Sequence, residues 1–131
     1  MKTIVFACVH NAGRSQMAAA FLNQLASGKA RAVSAGTNPG TRVHPEVLEA
    51  MKEVGIDLSA AVPQRLTTEL ASGADLLITM GCGDECPYVP GLQQEDWPLD
   101  DPKGRSLDDV RRIRDEIRRR VVELLNVLNG V

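Results

Sequence analysis

The sequence predicts an α/β fold, a small doubly wound parallel sheet flanked by helices. Three observations carry the prediction. A β-branched and aromatic run over residues 3–7 passes through a very short connection into a helical pattern; further short apolar runs alternate with helical spacing; and a long amphipathic stretch closes the chain. Strands that alternate with helices favour a parallel sheet covered on both faces. With 131 residues, the expectation is a single domain over residues 1–131.

In order, residues 3–7 suit a buried strand that stops at Cys8. From Gly13 to about Leu25, Met17, Ala20, Phe21 and Leu25 recur at three- and four-residue spacings, a helix with Gly28 as its stop. Residues 30–34 form a second strand closed by Gly36. A helix over residues 44–54 places Val47, Leu48, Met51 and Val54 on one face and ends at Gly55. Pro63 and Gly73 bracket a weaker helical stretch over residues 66–71, and residues 74–80 read as an interior strand. Residues 81–106 hold four of the seven prolines and four of the eleven glycines, which makes this long segment mostly loop, with a short strand at residues 96–99. Leu107, Val110, Ile113, Ile117, Val121, Leu124, Leu125 and Leu128 then mark the last helix.

Composition narrows the function classes. With 44% hydrophobic and 24% charged residues, the chain reads as an ordinary globular protein. No apolar run approaches the roughly 18 residues of a membrane span, and no secretory signal pattern opens the chain, so a cytoplasmic address without membrane attachment is expected. A net charge of −2 gives no general attraction to nucleic acid, so an anion must be captured locally. Arginines on the last helix alternate with Asp108, Asp109, Asp115, Glu116 and Glu123, the pattern of a solvated, ion-paired face. Three cysteines, an odd number, suggest working thiols or small buried hydrophobes and no disulfide framework.

One stretch carries chemistry. Cys8, Val9, His10, Asn11, Ala12, Gly13, Arg14 and Ser15 fit the pattern of a cysteine, five residues, an arginine and a hydroxyl residue. The spacing alone is weak, but the loop leaves the carboxyl end of the first strand and opens a helix, the place where open α/β sheets bind ligands. Unspent backbone N–H groups and the helix dipole converge there on a tetrahedral oxyanion. At the floor of these donors the Cys8 thiolate is favoured over the thiol, which makes it a nucleophile. Arg14 can fork two N–H groups onto two oxygens. Ser15 can donate to the Cys8 sulfur, Asn11 can lock the loop, and Gly13 permits close backbone approach. The plainer reading is a buried cysteine at a strand end beside a surface arginine.

With these residues the chain resembles the arsenate reductase branch of the low-molecular-weight protein tyrosine phosphatase superfamily. The resemblance runs over the whole length: Cys8 to Ser15 followed by Gln16-Met17-Ala18, then Ser34-Ala35-Gly36, then Met51 through Asp57, then Cys82 and Cys86, and last Asp100-Asp101-Pro102. It implies that Asp101 is the general acid, although from spacing alone Asp101 suits a turn or a helix cap equally well. It also implies that Cys8 attacks arsenic, that Cys82 releases arsenite by forming a disulfide, and that Cys86 relays this disulfide outward. The i to i+4 spacing of Cys82 and Cys86 permits closure on one helical turn, and Gly81 and Gly83 supply hinge freedom. A zinc pair and inert buried thiols are the competing readings of these two cysteines.

The implied partners are arsenate or phosphate and an external thiol reductant of the thioredoxin, glutaredoxin/glutathione or mycothiol type, with no tightly bound cofactor, no nucleic acid and a monomeric chain. Against a phosphotyrosine phosphatase stand the few aromatic residues, Phe6, Phe21, Tyr88 and Trp97, and the continuation Lys103-Gly104-Arg105 after the Asp-Pro. The branch often has glycine where His10 stands, so either the loop backbone differs there or His10 takes an uncommon dihedral. Many members carry cysteine at the position of Gly13, and some place a cation-holding acid at the position of Ala19; no metal is expected here.

Overall fold

The structure, a computed structural model, describes residues 1–81 and 90–128. Its elements are β1 (Lys2–Cys8), α1 (Arg14–Leu25), β2 (Ala30–Gly36), α2 (Pro45–Glu53), α3 (Thr68–Ser72), β3 (Leu76–Thr79), β4 (Gln93–Asp96) and α4 (Leu107–Leu128). The strands form one parallel sheet in the order β2-β1-β3-β4. From β1 the chain winds to β2 on one side and then to β3 on the other. The winding therefore reverses at the carboxyl end of β1, where Cys8 pairs in register with Gly36 and Ala7 with Thr79.

Alternation along β1 sets the two layers. Ile4, Phe6 and Cys8 enter the larger core with Met17, Phe21 and Leu22 of α1, Met51 of α2, and Ile117 and Val121 of α4. Burying a side chain such as Phe6 or Ile117, both fully inaccessible, contributes about 1.5–3 kcal/mol. Val5 and Ala7 face the opposite way, where with Leu77 they are covered by Leu66, Leu70, Ala74 and Leu92. Both faces are covered, unequally. Ala18 and Ala19 are buried on α1, and their small side chains let that helix lie close to the sheet. Among the described residues no helix is long and apolar enough to cross a membrane.

Three expectations are corrected. The last strand lies at Gln93–Asp96, three residues before the expected start, and all four residues are exposed; Trp97 instead turns inward against Phe6, with ring centroids 5.5 Å apart. The weak helix after Pro63 begins only at Thr68, where the Thr67 hydroxyl accepts from the Leu70 N–H. The arginine face of α4 is ion-paired as expected through Arg111, Arg112, Arg119 and Arg120, but Arg114 is buried and donates to the Ala50 carbonyl and to Glu53. It ties α4 to α2.

Candidate active site

The loop between β1 and α1 is built from the backbone outward. The carbonyls of Cys8, Val9, His10, Asn11 and Ala12 accept in turn from Thr37 N at 3.1 Å, Asn38 N at 2.8 Å, Gly40 N at 2.9 Å, Gln16 Nε2 at 3.1 Å and His44 N at 3.0 Å. All these partners lie outside the loop. In a trans peptide the carbonyl and the next N–H point in opposite directions, and no cis bond occurs among the described residues. The N–H groups of residues 9–13 are thus each turned away from the partner of the preceding carbonyl. Asn11 takes φ of 51°, and a left-handed residue of this kind is one of the elements from which anion-binding backbone nests are made. The uncommon dihedral falls on Asn11 and not on His10. Gly13 caps α1 without any side-chain bond, and the first turn holds no acid, so the positive end of the helix is left for a ligand.

Cys8 lies at the floor, 2% exposed, with its Sγ 2.9 Å from the Ser15 hydroxyl. Asn11 Nδ2 donates to Ser15 Oγ at 2.7 Å, while Asn11 Oδ1 accepts from Gln64 N at 2.9 Å and from Gln16 Nε2 at 3.3 Å. The Gln64 N–H can only donate, which fixes the oxygen of the amide toward it and the nitrogen toward Ser15. Asn11 takes one lone pair of Ser15 Oγ, and the Ser15–Cys8 bond can run from either atom; toward a thiolate sulfur only the Ser15 hydroxyl can donate. Gly36 makes room for this arrangement, since a Cβ there would lie 2.6 Å from the Val9 carbonyl oxygen and 2.9 Å from Asn11 N.

Arg14 is buried beside the loop. Its Nη1 donates to the Leu99 carbonyl at 3.0 Å, and its Nη2 lies 3.8 Å from Asp101 Oδ2. The Nε–Nη2 edge is therefore the fork that can take two oxyanion oxygens. Asp101, 46% exposed, also accepts from Lys103 N at 3.0 Å through its other oxygen. It caps a turn and faces Arg14 at once, so the two uses weighed for it are not exclusive. Pro102 seats this segment on the loop, because a Cβ at Gly13 would lie 2.7 Å from Pro102 Cγ and 3.6 Å from His44 Cδ2. Burial holds the His44 imidazole below the ordinary histidine pKa, against the upward pull of the Asp101 and Glu46 carboxylates.

Of the residues singled out in the sequence, Cys8 through Ser15 and Asp101 meet at this one place. Cys82 and Cys86 lie outside the described residues. Sequence reasoning missed the Gln64 amide, the Leu99 carbonyl, the packing of His44 and the contact between position 81 and Arg14. Gln16 stood only as part of a resemblance, without a role. The arrangement can bind a tetrahedral oxyanion through loop amides and a guanidinium, attack it with a thiolate, and offer a carboxylic acid to the group that leaves.

A family model described as low molecular weight phosphotyrosine protein phosphatase matches residues 3–130. The chain belongs to this family. It is 38% identical over 128 residues to a glutaredoxin arsenate reductase of Synechocystis, covering 95% of this chain and 97% of the relative. A thioredoxin-dependent arsenate reductase of Corynebacterium glutamicum superposes with a TM-score of 0.86 at 40% identity, over 98% of this chain and 62% of that one. The chain thus spans less than two thirds of the corynebacterial chain. An arsenate reductase solved in a phosphate-binding state superposes with a TM-score of 0.84 at 37% identity, covering 98% and 99% of the two chains.

Proposed function

We infer that this chain is an arsenate reductase that draws its electrons from an external thiol reductant. The observation that carries the reading is the loop, in which five successive carbonyls are bonded to partners outside it and the cysteine at its start is buried. Two features favour a small inorganic oxyanion over phosphotyrosine. Among the described residues the aromatic side chains Phe6, Phe21 and Trp97 are all in the core, so none walls the loop. The sequence also supplies two cysteines that simple hydrolysis does not need.

In the sequence of steps we propose, the Cys8 thiolate attacks arsenic(V), held by the amides of residues 9–13 and the Arg14 fork. Asp101 protonates the departing hydroxide, which leaves as water. Cys82 then attacks the Cys8 sulfur; the S–As bonding pair passes to arsenic, arsenite departs as arsenic(III), and a Cys8–Cys82 disulfide remains. Attack by Cys86 on Cys82 returns Cys8 as thiolate and leaves a Cys82–Cys86 disulfide for the reductant. Ser15 stabilises the Cys8 sulfur both when it attacks and when it leaves. The protein works as a monomer in the cytoplasm.

Arsenite release by the purified chain, supplied in turn with thioredoxin, glutaredoxin with glutathione, and a small thiol, tests the reading. Sustained release with at least one donor is expected. Hydrolysis of a phosphomonoester together with no arsenite from any donor would establish the phosphatase in its place.

A further inference from the structure

We propose that Gly81 is a positioning residue for the oxyanion fork: Arg14 takes its place only because position 81 has no Cβ. The inference rests on the assignment of Arg14 as the clamp. Gly81 follows β3 closely, where Met80 N still donates to the Ala7 carbonyl at 2.8 Å, so the backbone here is tied to the central strand. A Cβ on Gly81 would lie 2.4 Å from Arg14 Nη1, 3.5 Å from Arg14 Cζ and 3.4 Å from the Leu99 carbonyl oxygen. Nη1 is the corner of the guanidinium that Leu99 anchors. A methyl group would occupy the space of that anchored nitrogen.

Gly81 also has φ of +83°, which alone favours glycine. The comparison with Gly55 separates the two effects. Gly55 has the same φ of +83°, but a Cβ there would meet nothing within 4 Å. At Gly55 only the backbone conformation selects glycine, whereas at Gly81 the arginine selects it as well. The atom that would be struck is the tip of a flexible side chain, so it gives way more readily than the fold. The guanidinium turns, the Leu99 bond is lost, and the Nε–Nη2 edge no longer faces the loop. Gly81 immediately precedes Cys82, the proposed resolving thiol, in the sequence.

The test is the dissociation constant of inorganic phosphate, read by isothermal titration calorimetry, for the wild type, Gly81→Ala, Gly55→Ala, Arg14→Lys and the Gly81→Ala/Arg14→Lys double variant. Gly81→Ala should weaken phosphate by about tenfold or more, the range of one charge-assisted hydrogen bond. Gly55→Ala should bind as the wild type while losing a similar amount of thermal stability. In the Arg14→Lys background, where no Nη1 is present to be struck, Gly81→Ala should add less than about twofold, since only the local strain remains. Wild-type affinity in Gly81→Ala would overturn the proposal, and so would an equal loss in both backgrounds. Wild-type affinity in Arg14→Lys would instead remove the clamp itself, a failure distinct from that of Gly81.

Discussion

Replacing Asn11 tests whether the side-chain network under the loop serves the nucleophile or only the fold, and two substitutions separate these. Asn11→Ala removes three bonds, to Ser15 Oγ, from Gln64 N and from Gln16 Nε2. Each contributes about 0.5–1.5 kcal/mol, and the stranded Gln64 N–H raises the cost. Alanine at φ of 51° adds about 1–2 kcal/mol of backbone strain. The expected loss is about 3–5 kcal/mol in urea unfolding, a large part of the 5–15 kcal/mol typical of a domain. Asn11→Asp keeps the shape and the acceptor for Gln64 N but replaces the donor that holds Ser15. The serine proton then turns to the carboxylate and away from Cys8 Sγ. The cysteine loses one charge-assisted bond, about 1.5–3 kcal/mol, so its alkylation by iodoacetamide at fixed pH should slow by about tenfold or more while the chain stays folded. Alkylation of folded Asn11→Asp at the wild-type rate would refute the assignment of the Ser15 proton.

Other outcomes follow from the same geometry. Asp101→Asn keeps the turn to Lys103 but cannot supply a proton, so single-turnover arsenite formation should slow by about 10²–10⁴-fold with oxyanion affinity retained. Cys82→Ser should abolish repeated turnover, and Cys86→Ser should release one equivalent of arsenite and trap a Cys8–Cys82 disulfide that peptide mass spectrometry detects; full turnover by Cys86→Ser would sink the relay. The Arg111 and Arg114 guanidiniums hold the Glu53 carboxyl at about 2, below the ordinary glutamate value of about 4.3. Its folded-state pKa is depressed, so its stabilisation is present above that ordinary value and is lost as pH falls from there toward 2. The difference in urea midpoint between wild type and Glu53→Gln should hold steady above about pH 5 and close toward pH 2.

The parts legible in the sequence were those encoded by neighbours along the chain. The run from Cys8 to Ser15 announced itself because a strand, a five-residue connection and a helix follow one another directly, and the ligand end of a parallel sheet is where such a connection lies. Asn11 and Ser15 sit four residues apart and could be guessed from residue type. Gly81 and Leu99 could not, because their contacts with Arg14 span 67 and 85 residues and one of them is made by a backbone carbonyl that no side chain advertises. Gln93–Asp96 shows no apolar alternation, since an edge strand with all four residues exposed has no face to bury. Charge pattern alone does not set Arg114 apart from the solvated arginines of α4. Its position, three residues before Ile117 and four after Val110, already placed it beside the apolar stripe, where its guanidinium reaches the Ala50 carbonyl.

The central claim, that a loop cysteine passes two electrons to the bound oxyanion, meets its most direct test in a single-turnover balance. The fully reduced chain is mixed with excess arsenate in the absence of any reductant, and arsenite and free thiols are counted on the same sample. One arsenite per chain with the loss of two thiols, and neither with Cys8→Ser, is the predicted result. Thiols left intact while the loop binds arsenate would contradict the claim and leave a site that holds the oxyanion without reducing it.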